Sequence, residues 1–498
     1  MLRILTVASF LPLMLGPILC GSDKIPEDFA IVAYNLENVF DIDGVSIFKD
    51  YRQDLSENPY AYSKEKLLTK LENAARVLKT VNDGAGPEII LIQELEGDFT
   101  PESSISDWDS FLGQYSGTTV RTMLSNDWQE DFAGIPAVAW LLKALADAGM
   151  TGYSVVVAPT KPFESGVAHV NAVFSRFPIK SFQFYPILEA RDIVEVELDI
   201  GGHSLWLYNN HWKSGASNPK REPTRIENAK VLRELIDIRL QENPFADIII
   251  GGDLNSHYNQ DILFPEIETG INDILGSQGQ ESFGDADLYN LWYELPPADR
   301  FSEVWRGRRG SLMHLLVSPG LYNAEGVSYV DGSFRKLVLA GLNIDSIGRP
   351  LEWFPGGITG GGFSDHLPLL ARFSTAAFTP KGALSQGDDA LDYEMPLSLF
   401  DFPDLIDFPD GSFIGTLSDS EIGPYAGKLY AVDATVLQMK PLELKIGDSV
   451  WSAYAPNPSL REKDGLPFFL ETTEGQVRLV VRMQIFRGKK ELVIEKIL

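Results

Sequence analysis

Asp247-Ile248-Ile249-Ile250-Gly251-Gly252-Asp253-Leu254-Asn255 is the stretch that decides the fold, because a short apolar run ends directly in an acid and an amide. The run predicts a buried strand. Two other apolar runs have the same form: residues 88–94 end at Glu94, and residues 204–208 are followed closely by His211. Polar side chains are therefore expected to collect where several strands end.

Helical patterns lie between the predicted strands. Apolar residues recur at helical spacing from Lys64 to Val81, and a second such pattern extends from Thr224 to Leu240. Further strands are predicted at residues 30–34, 155–158, 170–174, 194–200, 311–317 and 368–373. Strands that alternate with helices in this way predict an α/β protein in which two packed sheets have helices outside.

The chain is strongly acidic. Its 498 residues contain 42 Lys and Arg against 70 Asp and Glu, which gives a formal net charge of −28. Such a charge repels phosphate backbones at long range and disfavours tight non-specific binding to nucleic acid. It does not exclude a local basic groove on one part of the surface.

The first 22 residues have the pattern of a signal peptide. Arg3 supplies a positive charge, and the segment 4–19 is apolar, uncharged and interrupted by two prolines. This pattern predicts a secreted or periplasmic protein, with a retained anchor or a cytosolic N-terminal helix as the alternative. Cys20 is the only cysteine and stands in a poor lipobox, so plain export is favoured over a lipid anchor there. No other segment is long and apolar enough to span a membrane.

The composition changes after residue 375. Residues 376–426 are rich in Pro, Gly, Ser and acids and predict an acidic linker, part of which docks on a surface through interleaved Leu and Phe. Residues 427–498 contain several short apolar segments separated by glycines, which predicts a small β-barrel or sandwich, with an OB-like barrel as one form. Such a domain either presents a binding face for nucleic acid or sugar, or serves only to pack and stabilise.

Hydrolysis of a phosphoester needs a cation, an activated water and a stabilised transition state. Oxygen ligands suit Mg²⁺, Mn²⁺ or Ca²⁺, and histidine can donate to a phosphoryl oxygen or move a proton near neutral pH. The polar clusters supply both kinds of group, namely Asn35, Glu94, Asp253, Asn255, Asp365, His211 and His366.

Each of these residues also has a plain structural interpretation. Asn35 can close a turn, Asp253 to Asn255 can form a cap or an Asx turn, and His211 can be packed beside Trp212. Two cations, Lys213 and Arg176, are candidate phosphate contacts but are equally ordinary surface residues. The four remaining histidines are interpreted as structural, namely His169, His203, His257 and His314.

Taken together, the motifs resemble the endonuclease/exonuclease/phosphatase superfamily, and most closely its exported bacterial members. The resemblance covers residues 29–373, and so defines a domain at 23–375. The motifs are Tyr34-Asn35-Leu36-Glu37-Asn38, Ile92-Gln93-Glu94, Phe174-Ser175-Arg176-Phe177-Pro178, Asn210-His211-Trp212-Lys213-Ser214, Gly252-Asp253-Leu254-Asn255 and Ser364-Asp365-His366. The resemblance implies a four-layer α/β/β/α sandwich and Mg²⁺-dependent phosphoester hydrolysis by in-line attack of water.

The resemblance also implies a role for each residue. Asn35 and Glu94 would hold the metal with help from Asp365. His211 would contact the scissile phosphate, and His366 would stabilise the transition state or act as a base. Asp253 would position or deprotonate the water, and Asn255 would orient the phosphate or water.

Two residues depart from the superfamily pattern. The strand before the last motif usually carries an Asp that orients the final histidine, but here Met313 occupies that position, and a thioether is only a weak acceptor. Either another acid such as Asp331 or Asp345 substitutes for it, or activity is reduced. Glu96 stands where some nucleases carry a basic residue, which weakens the case for a DNA substrate.

Three functions are therefore in competition. The first is a secreted metal-dependent nuclease or related phosphodiesterase acting on DNA or RNA, with a basic patch formed by Lys213, Lys220, Arg221 and Arg225. The second is an enzyme of the same class acting on a phospholipid head group, a sugar phosphate or another small phosphoester, with no basic groove. The third is a weakly active binding protein in which Met313 marks the loss of activity.

Overall fold

The computed structural model describes residues 28–52, 62–100, 105, 107–125, 127–278, 288–305, 308–345, 348–354, 359–380, 406–408, 414–418, 421, 429–439, 441–454, 476–486 and 489–497. The predicted signal peptide at residues 1–22, with Cys20, lies outside the described residues. Most of the predicted linker at 376–426 also lies outside them. The part of that linker that is described includes a short strand at 406–408.

The chain is rich in strands, whose bounds run in order as follows: β1 Asp28–Val39, β2 Ile89–Glu96, β3 Ser154–Val157, β4 His169–Ser175, β5 Ile179–Tyr185, β6 Ile193–Ile200, β7 His203–His211, β8 Asp247–Asp253, β9 Ser277–Gln278, β10 Leu288–Asn290, β11 Glu303–Trp305, β12 Arg308–Gly310, β13 Met313–Val317, β14 Ser328–Tyr329, β15 Arg335–Lys336, β16 Leu369–Ser374, β17 Ile406–Phe408, β18 Leu429–Met439, β19 Leu442–Ile446, β20 Ser449–Tyr454, β21 Gln476–Phe486 and β22 Lys489–Ile497.

The α-helices of the described residues lie before residue 264: α1 Lys64–Leu78, α2 Trp108–Gln114, α3 Val120–Met123, α4 Ala137–Asp147, α5 Glu222–Glu242 and α6 Gln260–Leu263. Short 3-10 helices, together with one π-helix at Gly270–Ile274, form the tight connections between elements: Lys49–Tyr51, Asn82–Gly84, Glu130–Gly134, Phe163–Ser165, Pro219–Arg221, Leu291–Glu294, Pro297–Asp299, Pro319–Tyr322 and Ile414–Thr416.

Two mixed sheets form the centre of the larger, N-terminal part of the described chain, called the sandwich domain below. The first has the order β14-β16-β1-β2-β4-β3, with β15 paired to β16, and the second has the order β5-β6-β7-β8-β13-β10-β9. β1 and β2 are parallel in the first sheet, as β7 and β8 are in the second. The carboxyl ends of each parallel pair therefore lie at one edge of its sheet.

The sheets pack face to face, with helices on both outer faces. β1 and β2 contact β8 and β13 across the interior, while α1 and α4 cover the outer face of the first sheet. α5 covers the second sheet through a separate apolar cluster that includes Leu232, Ile236, Ile248 and Trp212. This arrangement confirms the predicted four-layer α/β/β/α sandwich.

The C-terminal segment forms a small barrel. β18 pairs with β19, β19 with β20, β20 with β22, β22 with β21, and β21 returns to β18, which closes the ring. The contact between β20 and β22 is parallel, whereas the other pairs in the ring are antiparallel. Buried Tyr430, Leu444, Trp451, Leu479 and Ile494 fill its interior. The strand order and closure fit the predicted OB-like barrel.

The sequence patterns did not predict every element. Helix α4 has buried residues on all sides from Ala137 to Leu145, so it lacks the one-sided apolar stripe of a surface helix. β5 is largely exposed, although four of its seven residues are apolar or aromatic, so burial does not mark it as a strand. Within the described ranges, no helix combines the length and the apolar character needed to cross a bilayer.

Asp247 at the start of β8 makes stability depend on pH. Its carboxyl group accepts a hydrogen bond from the Val327 backbone at 2.8 Å, and burial raises its pKa to about 7. This pKa exceeds the value of about 3.9 expected in the unfolded chain. The contribution of the protonated Asp247 to the free energy of unfolding is therefore complete below about pH 4 and is lost as the pH rises through about 7.

Asp247→Asn should therefore gain stability relative to wild type as the pH rises. We expect the difference in free energy of unfolding to change by roughly 2–3 kcal/mol between about pH 5 and pH 8 in favour of the variant. Urea unfolding at both pH values measures it, with exposed Asp131→Asn as the control. A difference between Asp247→Asn and wild type that is the same at both pH values would contradict the buried, protonated carboxyl.

Candidate active site

Irregularities in the first sheet turn polar side chains toward one edge. The register of β1 against β2 shifts after Asn35, and that of β2 against β4 shifts after Ile92. Glu37, Asn38 and Glu94 in these segments have positive φ angles of 49°, 68° and 64°. Bulges re-aim side chains, and positive φ in residues other than glycine is uncommon and strained. The site edge is thus the part of the first sheet where regular pairing is interrupted.

The second sheet supplies a histidine and an acid at the matching edge. The parallel register of β7 and β8 places His211 directly beside Asp253, and Met313 of β13 lies on the other side of Asp253. Gly252 makes this arrangement fit: its φ is 114°, and a Cβ built there would lie 2.1 Å from the carbonyl oxygen of Asn210.

Asn35 joins the two sheets at this edge. Its Nδ2 donates to Glu94 Oε1 and to Asp253 Oδ2, both at 3.1 Å, and its Oδ1 accepts from the Glu37 backbone at 2.9 Å. The structure therefore brings Asn35 to the site as a donor that holds two carboxylates together. Its amide oxygen, which metal ligation would require, accepts one backbone hydrogen bond and keeps a second lone pair.

The two predicted site histidines approach the same carboxylate. Nε2 of His211 lies 3.6 Å from Asp253 Oδ2 and 3.9 Å from Glu94 Oε1. Nε2 of His366 lies 3.8 Å from the same Asp253 oxygen and 3.7 Å from Asp365 Oδ1. Residues from motifs far apart in the sequence thus form one compact cluster.

Asn255 lies next to this cluster and shapes the turn after β8. Its backbone N–H donates to Asp253 Oδ1 at 2.8 Å, and its Nδ2 donates to the Trp212 carbonyl at 3.2 Å. Its φ of 48° is left-handed. The contact with Asp253 is that of an Asx turn, so the structural interpretation of Asn255 accounts for these bonds.

The loop that carries the last motif is fixed to β1. Ser364 Oγ donates to the Asn35 carbonyl at 2.7 Å and accepts from the His366 backbone at 3.1 Å. The Glu37 carboxyl group accepts from the Asp365 backbone at 2.7 Å. The Ser364–His366 motif lies in a loop and not in a regular strand, so side-chain hydrogen bonds hold it in place.

The two histidines differ in charge near neutral pH. Burial alone would lower the pKa of His366, but the carboxylates of Asp365 and Asp253 outweigh it and raise this pKa to about 9. Burial holds the pKa of His211 well below its usual value, and the charge of Arg191 lowers it further. His366 is therefore a cationic donor, whereas His211 is neutral.

The two central carboxylates also differ. Burial alone would raise the pKa of Glu94, but His169, Arg191 and the hydrogen bond from Asn35 together lower it. Burial raises the pKa of Asp253. Glu94 is thus suited to hold a cation, and Asp253 is better suited to accept a proton.

A chain of hydrogen bonds leads from Arg191 to Glu94, and no pattern in the sequence indicates it. Arg191 Nη2 donates to Nδ1 of His169 at 3.0 Å, which leaves the His169 Nε2–H to donate to Asn38 Oδ1 at 2.8 Å. The Asn38 backbone in turn donates to Glu94 Oε2 at 3.2 Å. His169, interpreted as structural, in fact orients a residue that binds Glu94. Arg191 lies in a loop and gives no periodic signal.

Lys70 of α1 is a second residue that the helical pattern did not reveal as part of the site. It is buried, its Nζ donates to the Phe363 carbonyl at 2.5 Å, and burial lowers its pKa to about 8. The charges of Glu37 and Asp365 act against that shift. Lys70 therefore holds the loop before the last motif from beneath.

Arg176 does not reach the cluster, contrary to the prediction of a phosphate contact. β4 runs antiparallel to β2, so the residue after its end lies at the edge opposite Glu94. Its guanidinium group donates to the carbonyls of Ala85, Gly86 and Thr151. The sequence motif is present, but strand direction puts this cation elsewhere.

The predicted basic patch is largely neutralised. Lys213 Nζ lies 2.9 Å from Glu189 Oε2, and Arg221 lies 3.9 Å from the same oxygen. Arg225 is fully buried and bonded to Glu222, so it is not available at the surface. Of the two cations predicted to contact phosphate, Lys213 remains beside the site, because it lies two residues after His211.

Within the described residues, no group of three or more His, Cys, Asp or Glu is placed so that it could hold a metal ion. A divalent cation bound at this edge would therefore keep water molecules among its ligands. Mg²⁺ commonly keeps several waters and binds through one or two carboxylates. Glu94 and Asp365, whose side chains are 18% and 42% exposed, are the carboxylates with access to such an ion.

A cleft of about 350 Å³ opens beside Asp365. Its walls include Val304 and Leu351 of the sandwich domain and Tyr454 and Arg482 of the barrel. The barrel therefore borders the approach to the site.

Comparisons with known proteins point the same way as the motifs. A sequence model of the endonuclease/exonuclease/phosphatase family matches residues 170–374, which is less than half of the chain and includes the segments that carry His211, Asp253 and His366. This match supports the superfamily that the motifs resemble. No curated protein matches the chain.

The chain is also similar to several solved structures. Truncated Caenorhabditis elegans TDP2 is 14% identical, with 70% of this chain and 97% of that chain covered and a TM-score of 0.37. An endonuclease/exonuclease/phosphatase family protein from Leptotrichia buccalis C-1013-b is 13% identical, with 69% and 98% covered and a TM-score of 0.38. The human Nocturnin catalytic domain with bound sulfate is 13% identical, with 70% and 94% covered and a TM-score of 0.36. Identities and TM-scores this low carry no conclusion about function.

Gly252→Ala should disturb the site through the backbone. The new Cβ would overlap the Asn210 carbonyl and the positive φ would be strained, so we expect a loss of roughly 2–4 kcal/mol in free energy of unfolding. Thermal or urea unfolding measures it. Gly202→Ala is the control, because Gly202 has a φ of 94° but open space around it. Equal losses in the two variants would show that the close approach to Asn210 contributes nothing.

Proposed function

We propose that the chain is a secreted, metal-dependent phosphodiesterase or endonuclease of the endonuclease/exonuclease/phosphatase superfamily, of its exported bacterial type. The observation that carries the proposal is the contact of two histidines with one buried carboxylate, Asp253, beside the ionised Glu94. Strongly shifted pKa values on neighbouring titratable groups are frequent at catalytic sites.

The residues divide the work of phosphoester hydrolysis. His366, a buried cation, is suited to donate to a phosphoryl oxygen and to stabilise the negative charge of the transition state. Asp253 accepts hydrogen bonds at the centre of the cluster and is the group suited to position water or take its proton. The neutral His211 supplies a further contact for a phosphate oxygen.

Glu94, with Asp365, is the group that would hold the cation. A bound Mg²⁺, or Mn²⁺ or Ca²⁺ in its place, would polarise the phosphoryl oxygens and neutralise charge in the transition state. Asn35 keeps the Glu94 carboxylate in place, and the hydrogen bonds from Arg191 through His169 to Asn38 restrict it from the other side.

A small phosphoester is the second candidate substrate, and the neutralised patch favours it. Lys213 and Arg221 both face Glu189, so the surface beside β7 does not form the basic groove that a long polynucleotide would use. A phospholipid head group or a sugar phosphate needs charge only at the reacting centre.

Hydrolysis should require both a divalent cation and His366. We expect the purified chain to release acid-soluble nucleotides from DNA or RNA, or nitrophenol from bis(p-nitrophenyl) phosphate, with Mg²⁺ and not with chelator. His366→Ala should lower kcat by roughly 10²- to 10⁴-fold, because a cationic donor is lost in the transition state.

His203→Ala is the matched control, since His203 is exposed at the opposite end of the β7 strand that carries His211. Cleavage of the small diester alone would select the second candidate substrate. A folded protein that hydrolyses none of these diesters, nor phosphomonoesters or lipid head groups, in the presence of Mg²⁺ would overturn the proposal in favour of a binding protein.

A further inference from the structure

His366 has an unsatisfied nitrogen. Its Nε2 faces Asp253 and Asp365, but its Nδ1 is buried and has no hydrogen-bond partner among the described residues. A buried polar atom without a partner destabilises the folded chain, and a histidine that works on a substrate needs its second nitrogen held to fix the ring. Within the described part of the chain, the Nδ1 atom of His366 therefore lacks the hydrogen-bond partner that would fix the ring.

The acids suggested by the sequence do not reach this nitrogen. Asp345 is bonded to Arg349 at 2.7 Å. Asp331 lies in the turn after β14, beside the backbone of Arg372, which is six residues along the chain from His366. Met313 is buried next to Asp253 and offers only a thioether.

Glu303 lies directly opposite His366. The two residues form an isolated antiparallel bridge, and Glu303 is paired on its other side with Gly310 of β12. Side chains of directly opposed residues lie on one face, with Cβ atoms about 4.5–5.5 Å apart. The Glu303 carboxyl group therefore stands on the same face as the His366 ring.

Gly310 makes room for that carboxyl group. A Cβ at position 310 would lie 2.2 Å from Glu303 Oε1, so any larger residue would displace the carboxyl. No hydrogen bond or ion pair among the described residues occupies the Glu303 carboxyl group. The carboxyl group lies over Gly310 and can turn from there toward a partner on the same face.

Ser302 fixes the position of Glu303 against the site. Its carbonyl accepts from the Leu367 backbone at 2.6 Å, its N–H donates to the Gly310 carbonyl at 2.8 Å, and its Oγ accepts from the Met313 backbone at 3.1 Å. One residue thus connects the ribbon of β11 and β12 to both the His366 loop and β13.

We propose that Glu303 is the positioning residue for His366, and that its carboxyl group hydrogen-bonds Nδ1 in place of the acid absent at position 313. No such bond is formed in this structure, so a rotation of the Glu303 side chain within the cross-strand pair completes it. The catalytic consequence rests on the proposed function, whereas the contact itself does not.

Removal of the carboxylate should lower turnover more than binding. We expect Glu303→Gln to lower kcat roughly 10- to 100-fold with little change in KM, as for other residues that orient a catalytic group. Asp331→Asn and Asp345→Asn are the matched controls, because they remove the two acids that the sequence offered for the same role. Full activity in Glu303→Gln, with a loss in either control, would overturn the assignment.

A spectroscopic measurement decides the contact even if no substrate is found. Proton NMR of the full chain, free and with Mg²⁺ and inorganic phosphate, should show a low-field ring proton that is absent in His366→Ala. That signal should be lost in Glu303→Ala and kept in Asp345→Asn, with folding checked by circular dichroism. Its absence from wild type, or its persistence in Glu303→Ala, would refute the inference independently of the proposed function.

Discussion

The site depends on the hydrogen bonds that close the two sheets on each other at one edge. Asn35, fully buried on β1, donates to Glu94 of its own sheet and to Asp253 of the other. Deeper in the interface, Gln93 Nε2 donates to Asn209 Oδ1 at 2.6 Å, and the Asn209 Nδ2 donates to the carbonyls of Ile92 and Ala172. Buried polar groups must find partners, so these bonds permit only one way of bringing the sheets together at this edge.

The hydrogen bonds of Asn35 also affect the charges of the two site histidines. Asn35 keeps Glu94 and Asp253 close, although their charges repel each other. Burial alone would lower the pKa of His366, but Asp365 together with Asp253 raises it, so His366 is a cation. On the other side, Arg191 favours an ionised Glu94 and a neutral His211. Opposite protonation states of two histidines around one acid thus follow from which charged groups the fold places on each side.

The sequence predicts the parts of the site that are carried by regular strands. The runs before Glu94 and Asp253 are apolar because they are buried on both faces, and a strand that ends in a polar residue delivers it to the sheet edge. The Ser364–His366 loop was recognised through its motif, since no periodic pattern marks it. The OB-like barrel was predicted from its evenly spaced apolar segments and glycines.

The remaining parts depend on contacts between distant segments. Glu303 faces His366 only because a short ribbon crosses the loop before β16, and Arg191 reaches His169 from a loop without periodicity. Arg176 was misplaced because an apolar run does not reveal the direction of its strand, and β4 proved antiparallel to β2. Register and direction are properties of the folded sheet, so single-segment patterns cannot supply them.

The proposed metal site is tested most directly by the binding of Mg²⁺ at Glu94, measured by isothermal titration calorimetry on the full chain with a non-hydrolysable phosphorothioate diester present. We expect a saturable signal in wild type and in His203→Ala that is lost in Glu94→Gln. Binding that is unchanged in Glu94→Gln, or absent from wild type, would contradict the claim that this edge of the two sheets is a metal-dependent phosphoester site.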